Sequence, residues 1–140
     1  MRFFARAFLV EGASPADSKR LLADANPGSI VQTAKGGLAR NERLVELLAA
    51  QTLQAEASGA LLANKPEIDL LLRMAGTTQI SRAIRDAGAK PGDPFLAIVV
   101  GKRALRRPPR FKGTELPKRE LDGFELGMVE KAALLNASRA

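Results

Sequence analysis

Phe95-Leu96-Ala97-Ile98-Val99-Val100 runs six residues without a polar interruption, and its second half is β-branched throughout. Lys90-Pro91-Gly92-Asp93-Pro94 precedes it, a turn by composition. A short apolar run of this kind, flanked by a turn, reads as a strand buried on both faces. Such a strand needs covering layers on both sides, so the rest of the chain has to supply them.

Residues 2–10 read as a second strand. Phe4 and Phe8 share one face with Arg6 between them, while Phe3, Ala5, Ala7 and Leu9 line the other. Residues 29–33 read as a third, broken by Gly36-Gly37. Between them, Ser14-Pro15 is an N-cap followed by proline at the first helical position. The helix it opens runs to about Ala25 and stops at Asn26-Pro27-Gly28. A long helical stretch covers residues 40–58, with Asn41 as cap and Leu44, Leu47, Leu48 and Gln51 on one stripe.

Asn64 and Glu67 predict a capping box for the next helix, which carries Ile68, Leu71, Leu72 and Ala75 at helical spacing. Gly76 sits where a left-handed residue ends it. Thr77-Thr78 is then in place to cap a short helix with Ile80, Ala83, Ile84 and Ala87. From Leu121 the chain turns helical again, with Asp122 and Glu125 as a cap pair and Phe124, Met128, Ala132 and Leu135 on one stripe. The sum predicts an α/β (α+β) fold: a small mixed sheet covered by several helices, in one domain over residues 1–140. The 140-residue length suits one such domain.

Charge is the outlier. The chain carries +7, and residues 101–119 hold eight of its 22 basic residues and one of its 15 acidic ones. That Pro-containing segment accounts for the whole net charge, which points to a polyanionic partner. The chain has no His and no Cys. Cys/His zinc sites, thiol nucleophiles, Ser-His-Asp triads and imidazole acid–base chemistry are thereby excluded. No apolar run approaches the ~20 residues of a membrane span. The expectation is a cytoplasmic protein with no metal and no membrane. The chain also lacks Trp and Tyr and has only six Phe, which limits base stacking by aromatics.

The helical hairpin around Gly76 invites comparison with a DNA-binding helix-turn-helix. That motif needs a buried aliphatic residue about six positions after the turn glycine. Here that position is Arg82, the aliphatic residue comes earlier at Ile80, and Arg85 takes the next position that should be buried. The joint is too short and the burial phase is wrong, so a DNA-binding regulator is the lesser alternative. A structural adaptor whose basic loop meets an acidic protein face is another.

The stretch Lys65-Pro66-Glu67-Ile68-Asp69-Leu70-Leu71-Leu72-Arg73-Met74-Ala75-Gly76-Thr77-Thr78-Gln79-Ile80-Ser81-Arg82-Ala83-Ile84 resembles the core of the KEOPS subunit called the PRPK-binding protein, in its archaeal form. Val129-Glu130-Lys131-Ala132-Ala133-Leu134-Leu135-Asn136 resembles that family's last helix. The similarity spans residues 39–100 and 127–136, and the basic segment departs from it. The resemblance implies a small non-catalytic subunit, not an enzyme, with no cofactor and no small-molecule substrate, that docks on a kinase-like ATPase subunit and holds the 3′ CCA end of tRNA. The complex's catalytic subunit then installs threonylcarbamoyladenosine.

On this reading Lys65, Arg73, Thr77, Thr78, Gln79, Ile80, Arg82 and Arg85 are the candidate RNA contacts around the joint. A helix N-terminus offers free N–H groups to a phosphate. Arginine planes stack on bases or grip phosphate in a bidentate fashion, and Gln79 offers both donor and acceptor to a base edge. Arg106, Arg107 and Arg110 are the candidates for salt-dependent phosphate grip. Phe124 and Met128 are the candidates for contact with the ATPase subunit. The Arg82–Asp86 spacing also fits an ordinary i,i+4 surface pair.

Overall fold

A computed structural model describes residues 2–139. Along the chain come β1 (Phe4–Val10), α1 (Pro15–Ala25), β2 (Ile30–Lys35), α2 (Glu42–Ser58), α3 (Pro66–Ala75), α4 (Ile80–Ala87), β3 (Phe95–Gly101), β4 (Thr114–Glu115) and α5 (Gly123–Arg139). The strands form one sheet in the order β2-β3-β1-β4. The protein is an α+β domain.

β3 pairs antiparallel with β1 on one side, from Phe4 opposite Gly101 to Val10 opposite Phe95. On the other side it pairs antiparallel with β2, from Ile30 opposite Val100 to Lys35 opposite Phe95. β1 and β2 therefore run parallel to each other, one strand apart, and β3 fills the slot between them. The sheet is antiparallel throughout rather than mixed. The burial of β3 on both faces, expected from its continuous apolar run, comes from cover on both sides of an antiparallel sheet.

One face, with Ala5, Ala7, Ala34, Leu96, Ile98 and Val100, lies under α2, α3 and α4, and α5 packs on α2 and α3. The other, with Phe8, Val10, Val31, Phe95, Ala97 and Val99, is covered by Leu22 of α1 and by Leu105 and Phe111 from the basic segment. Phe8 and Phe111 meet edge to face at 5.2 Å. The basic segment is thus part of the second core layer.

Local chemistry sets the helix ends. Ser14 caps α1 by accepting from the Asp17 N–H at 3.3 Å. Asn41 caps α2 by accepting from the Arg43 N–H at 3.0 Å. Gly76 adopts φ +70° and closes α3, its N–H bonded to the carbonyls of Leu72 and Arg73. Asp122 and Glu125 form the expected reciprocal box at the start of α5, at 2.8 and 3.0 Å. The capping box at α3 does not form. Pro66 takes the first helical position, so the cap falls on Lys65, whose side chain accepts nothing.

Candidate functional site

The hairpin of α3 and α4 carries two kinds of arginine. Arg73 is 2% exposed and turned inward. Its Nε and Nη2 donate to the two carboxylate oxygens of Asp69, at 2.7 and 3.1 Å. Nη1 reaches the Ala132 carbonyl at 3.2 Å, and Nη2 also reaches Asn136 Oδ1 at 2.9 Å, both on α5. Asp69 is fully buried and also accepts from the Thr52 hydroxyl at 2.6 Å and the Leu62 N–H at 2.9 Å. Arg73 therefore ties α3 to α2 and α5 and does not reach a surface where RNA could meet it. This corrects its place among the RNA candidates. The signal was present in the sequence: an aspartate and an arginine four apart on an otherwise apolar helix stripe, which is where buried charges pair.

α4 does the opposite. Only Ala83 and Ala87 face inward, so this short helix rests on α3 and the sheet through methyl groups. Ile80 and Ile84, at helical spacing with Ala83 and Ala87, are 47% and 55% exposed. Gln79, Arg82 and Arg85 are exposed beside them. Asp86 pairs with Arg85 at 2.9 Å, not with Arg82, and that bond holds its carboxyl below the usual range. Arg82 has no ion pair among the described residues. Thr77 and Thr78 are half-buried at the joint, and the Thr77 hydroxyl accepts from the Gln79 N–H at 3.1 Å. Neither threonine caps α4, whose cap position is Gln79. Lys65 is exposed but sits at the other end of α3, roughly 15 Å away for ten residues at 1.5 Å rise. The structure gathers Gln79, Ile80, Arg82 and Arg85 and leaves Lys65 apart.

The basic segment is held by its backbone. Asn26 donates to the Arg106 carbonyl and accepts from the Arg106 N–H, both at 2.8 Å. Asn41 does the same for Arg119, both at 3.1 Å. Between them, β4 pairs with β1 at Phe8 and Leu9. Arg107 lies over the Phe8 and Phe111 rings at 5.3 and 5.4 Å and donates to the Gly113 carbonyl. Lys118 pairs with Glu46 at 2.7 Å and Arg119 with Glu125 at 2.9 Å. Lys102, Arg103, Arg106, Arg110 and Lys112 are exposed and have no ion pair among the described residues.

The acids facing the segment respond. A bidentate bond from Arg6, at 2.6 Å to each oxygen, holds the Glu115 carboxyl below its ordinary value. Burial raises the Glu42 carboxyl, against the Ala7 N–H that bonds it at 3.1 Å. Burial also pushes Glu46 upward, but Lys118 and Arg43 outweigh it and the net shift is down. The Asp122 N–H lowers Glu125, with Arg119 adding to it.

On α5, Phe124 is 79% exposed and Met128 is half-buried against the core, so the expected stripe splits at its first member. Leu126 and Leu134 are exposed on the same helix. No protein-family model matches this sequence, and no curated protein matches it. Among the described residues no three acidic side chains converge as a metal site would need, and no helix is long and apolar enough to cross a membrane.

Proposed function

We propose that the chain is a cytoplasmic, non-catalytic RNA-recruiting subunit of a KEOPS-type complex. In this reading it holds the 3′ CCA end of tRNA at the α3–α4 joint and docks on a kinase-like ATPase subunit, in support of threonylcarbamoyladenosine formation. The observation that carries it is the outward face of α4. Two isoleucines stand exposed next to Gln79, Arg82 and Arg85, within the stretch that bears the family resemblance. Exposed apolar side chains rimmed by polar ones mark interaction surfaces. Apolar and guanidinium faces both receive unstacked bases, which substitutes for the missing Tyr and Trp. For the ATPase contact, the support is Phe124 with Leu126 and Leu134, apolar and exposed on α5.

The test compares intact tRNA with tRNA trimmed of its CCA end. Trimming should weaken binding at least tenfold, and Ile80→Ala with Arg82→Ala should erase most of that difference, at about 1–3 kcal/mol per contact. Equal affinity for both RNAs would remove this reading.

A further inference from the structure

The antiparallel register that sets Phe4 opposite Gly101 brings the two chain segments beyond it together. Arg2 and Phe3 before β1 and Lys102 and Arg103 after β3 line an open groove of about 490 Å³, together with Arg6 and Arg107. Glu115 is the one acid in the lining, and Arg6 already occupies both of its oxygens. Like charges brought close together repel. Arg2, Lys102 and Arg103 line one groove and have no ion pair among the described residues.

The groove does not stop there. Phe4, Lys102, Arg103 and Ala104 also line a second trough of about 960 Å³, which includes Asn26, Ser29 and Arg106 and also Glu56 and Glu67 of α2 and α3, so its cationic part is the Lys102, Arg103 and Arg106 portion. The half-buried Phe4 ring is the wall between the two. A Cβ on Gly101 would come within 2.8 Å of that ring, so the glycine lets it lie against the strand end. None of the joint residues 77–85 lines either trough.

We infer that these joined grooves form a second RNA site, one that takes the phosphodiester backbone of a single strand along Arg2, Lys102 and Arg103 with Phe4 available to a base. The inference rests on the reading of the chain as an RNA-binding subunit and adds a site distinct from the joint. Unpaired cations in a cleft focus an anion's field. A track of two troughs suits a chain of phosphates rather than one ion, and an aromatic wall between cations is the usual construction for single strands. The site differs from the earlier expectation for the basic segment. Arg107 lines the first groove but is held over two rings, and Arg110 lies outside both troughs.

The experiment uses the full chain and a twelve-nucleotide oligouridine, which has no CCA end, titrated at several salt concentrations. Lys102→Gln with Arg103→Gln should weaken binding at low salt at least tenfold and flatten the log-log salt slope by about 1.4, at roughly 0.7 per single-strand phosphate contact. Arg110→Gln with Lys112→Gln removes the same charge outside the troughs and should change the slope by less than half as much. Equal effects of the two pairs would assign the grip to bulk charge and overturn the groove. Competition by ATP as effective as that by the oligonucleotide would make it a free-nucleotide site and overturn the strand. Loss of oligouridine binding in the groove pair, with CCA trimming without effect, would remove the joint reading and keep this one.

Discussion

In the α3–α4 hairpin, Arg73 is anchored by its side chain: the guanidinium is buried and its charge is matched by Asp69. In the segment after β3, Arg106 is anchored by its main chain: Asn26 holds the N–H and the carbonyl while the guanidinium stands in solvent. Both residues are fixed in place, but only the second leaves its charge for a partner. The contrast separates two uses of arginine that composition counts alike. Availability depends on which part of the residue does the anchoring.

The largest expected effect tests the buried side of this contrast. Arg73→Ala leaves Asp69 charged and unpaired in the interior and should cost about 3–5 kcal/mol in urea unfolding. Arg73→Lys should recover little of it, because a lysine ammonium cannot reproduce the forked geometry. A loss below ~1 kcal/mol for Arg73→Ala would show the hairpin arginine to be unanchored, and the contrast would collapse.

Next comes the main-chain anchor. Asn26→Ala strands two backbone groups of Arg106 and should cost about 1–3 kcal/mol. Amide exchange should speed up at Arg106 while that of β3 stays slow. Unchanged protection at Arg106 would mean the clasp does not hold the segment.

The smallest effect concerns the far end of the segment. Glu125 titrates below its ordinary value in the fold. Its stabilisation is therefore present above the unfolded carboxylate pKa and is lost as pH falls through the lowered folded one. Melting temperatures between pH 3 and 6 should fall on acidification, and Glu125→Gln should flatten that fall while costing about 0.5–1 kcal/mol at neutral pH. A parallel pair of curves would rule out this titration as a contributor.

Much of the fold was legible because it is written locally. The β3 run, the Ser14 and Asn41 caps, the Gly76 turn and the Asp122–Glu125 box each depend on residues within a few positions. The Asn64 cap failed on an equally local rule. Proline at the first helical position makes its predecessor the cap, as Pro15 does for Ser14 and Pro66 for Lys65.

The candidate site was less legible. Arg73 and Arg82 each have an aspartate four residues away; the apolar stripe around Arg73 was the local signal, and the groups that complete its burial come from α2 and α5. Ile80 and Ile84 share helical spacing with Ala83 and Ala87 yet stay exposed, because two alanines suffice to seat α4. The groove brings Arg2 and Arg103 together because β1 and β3 are neighbours in the sheet, and segments a hundred residues apart leave no periodic trace.

The two asparagine clasps have a consequence for how this surface can change. An amide that holds a main-chain N–H and carbonyl is indifferent to the side chain it fixes in space. Position 106 accepts any residue with an N–H, so proline alone is barred there. The scaffold thus works as a socket with interchangeable fittings: the charge presented at that edge can be rewritten one residue at a time while its address on the sheet stays the same.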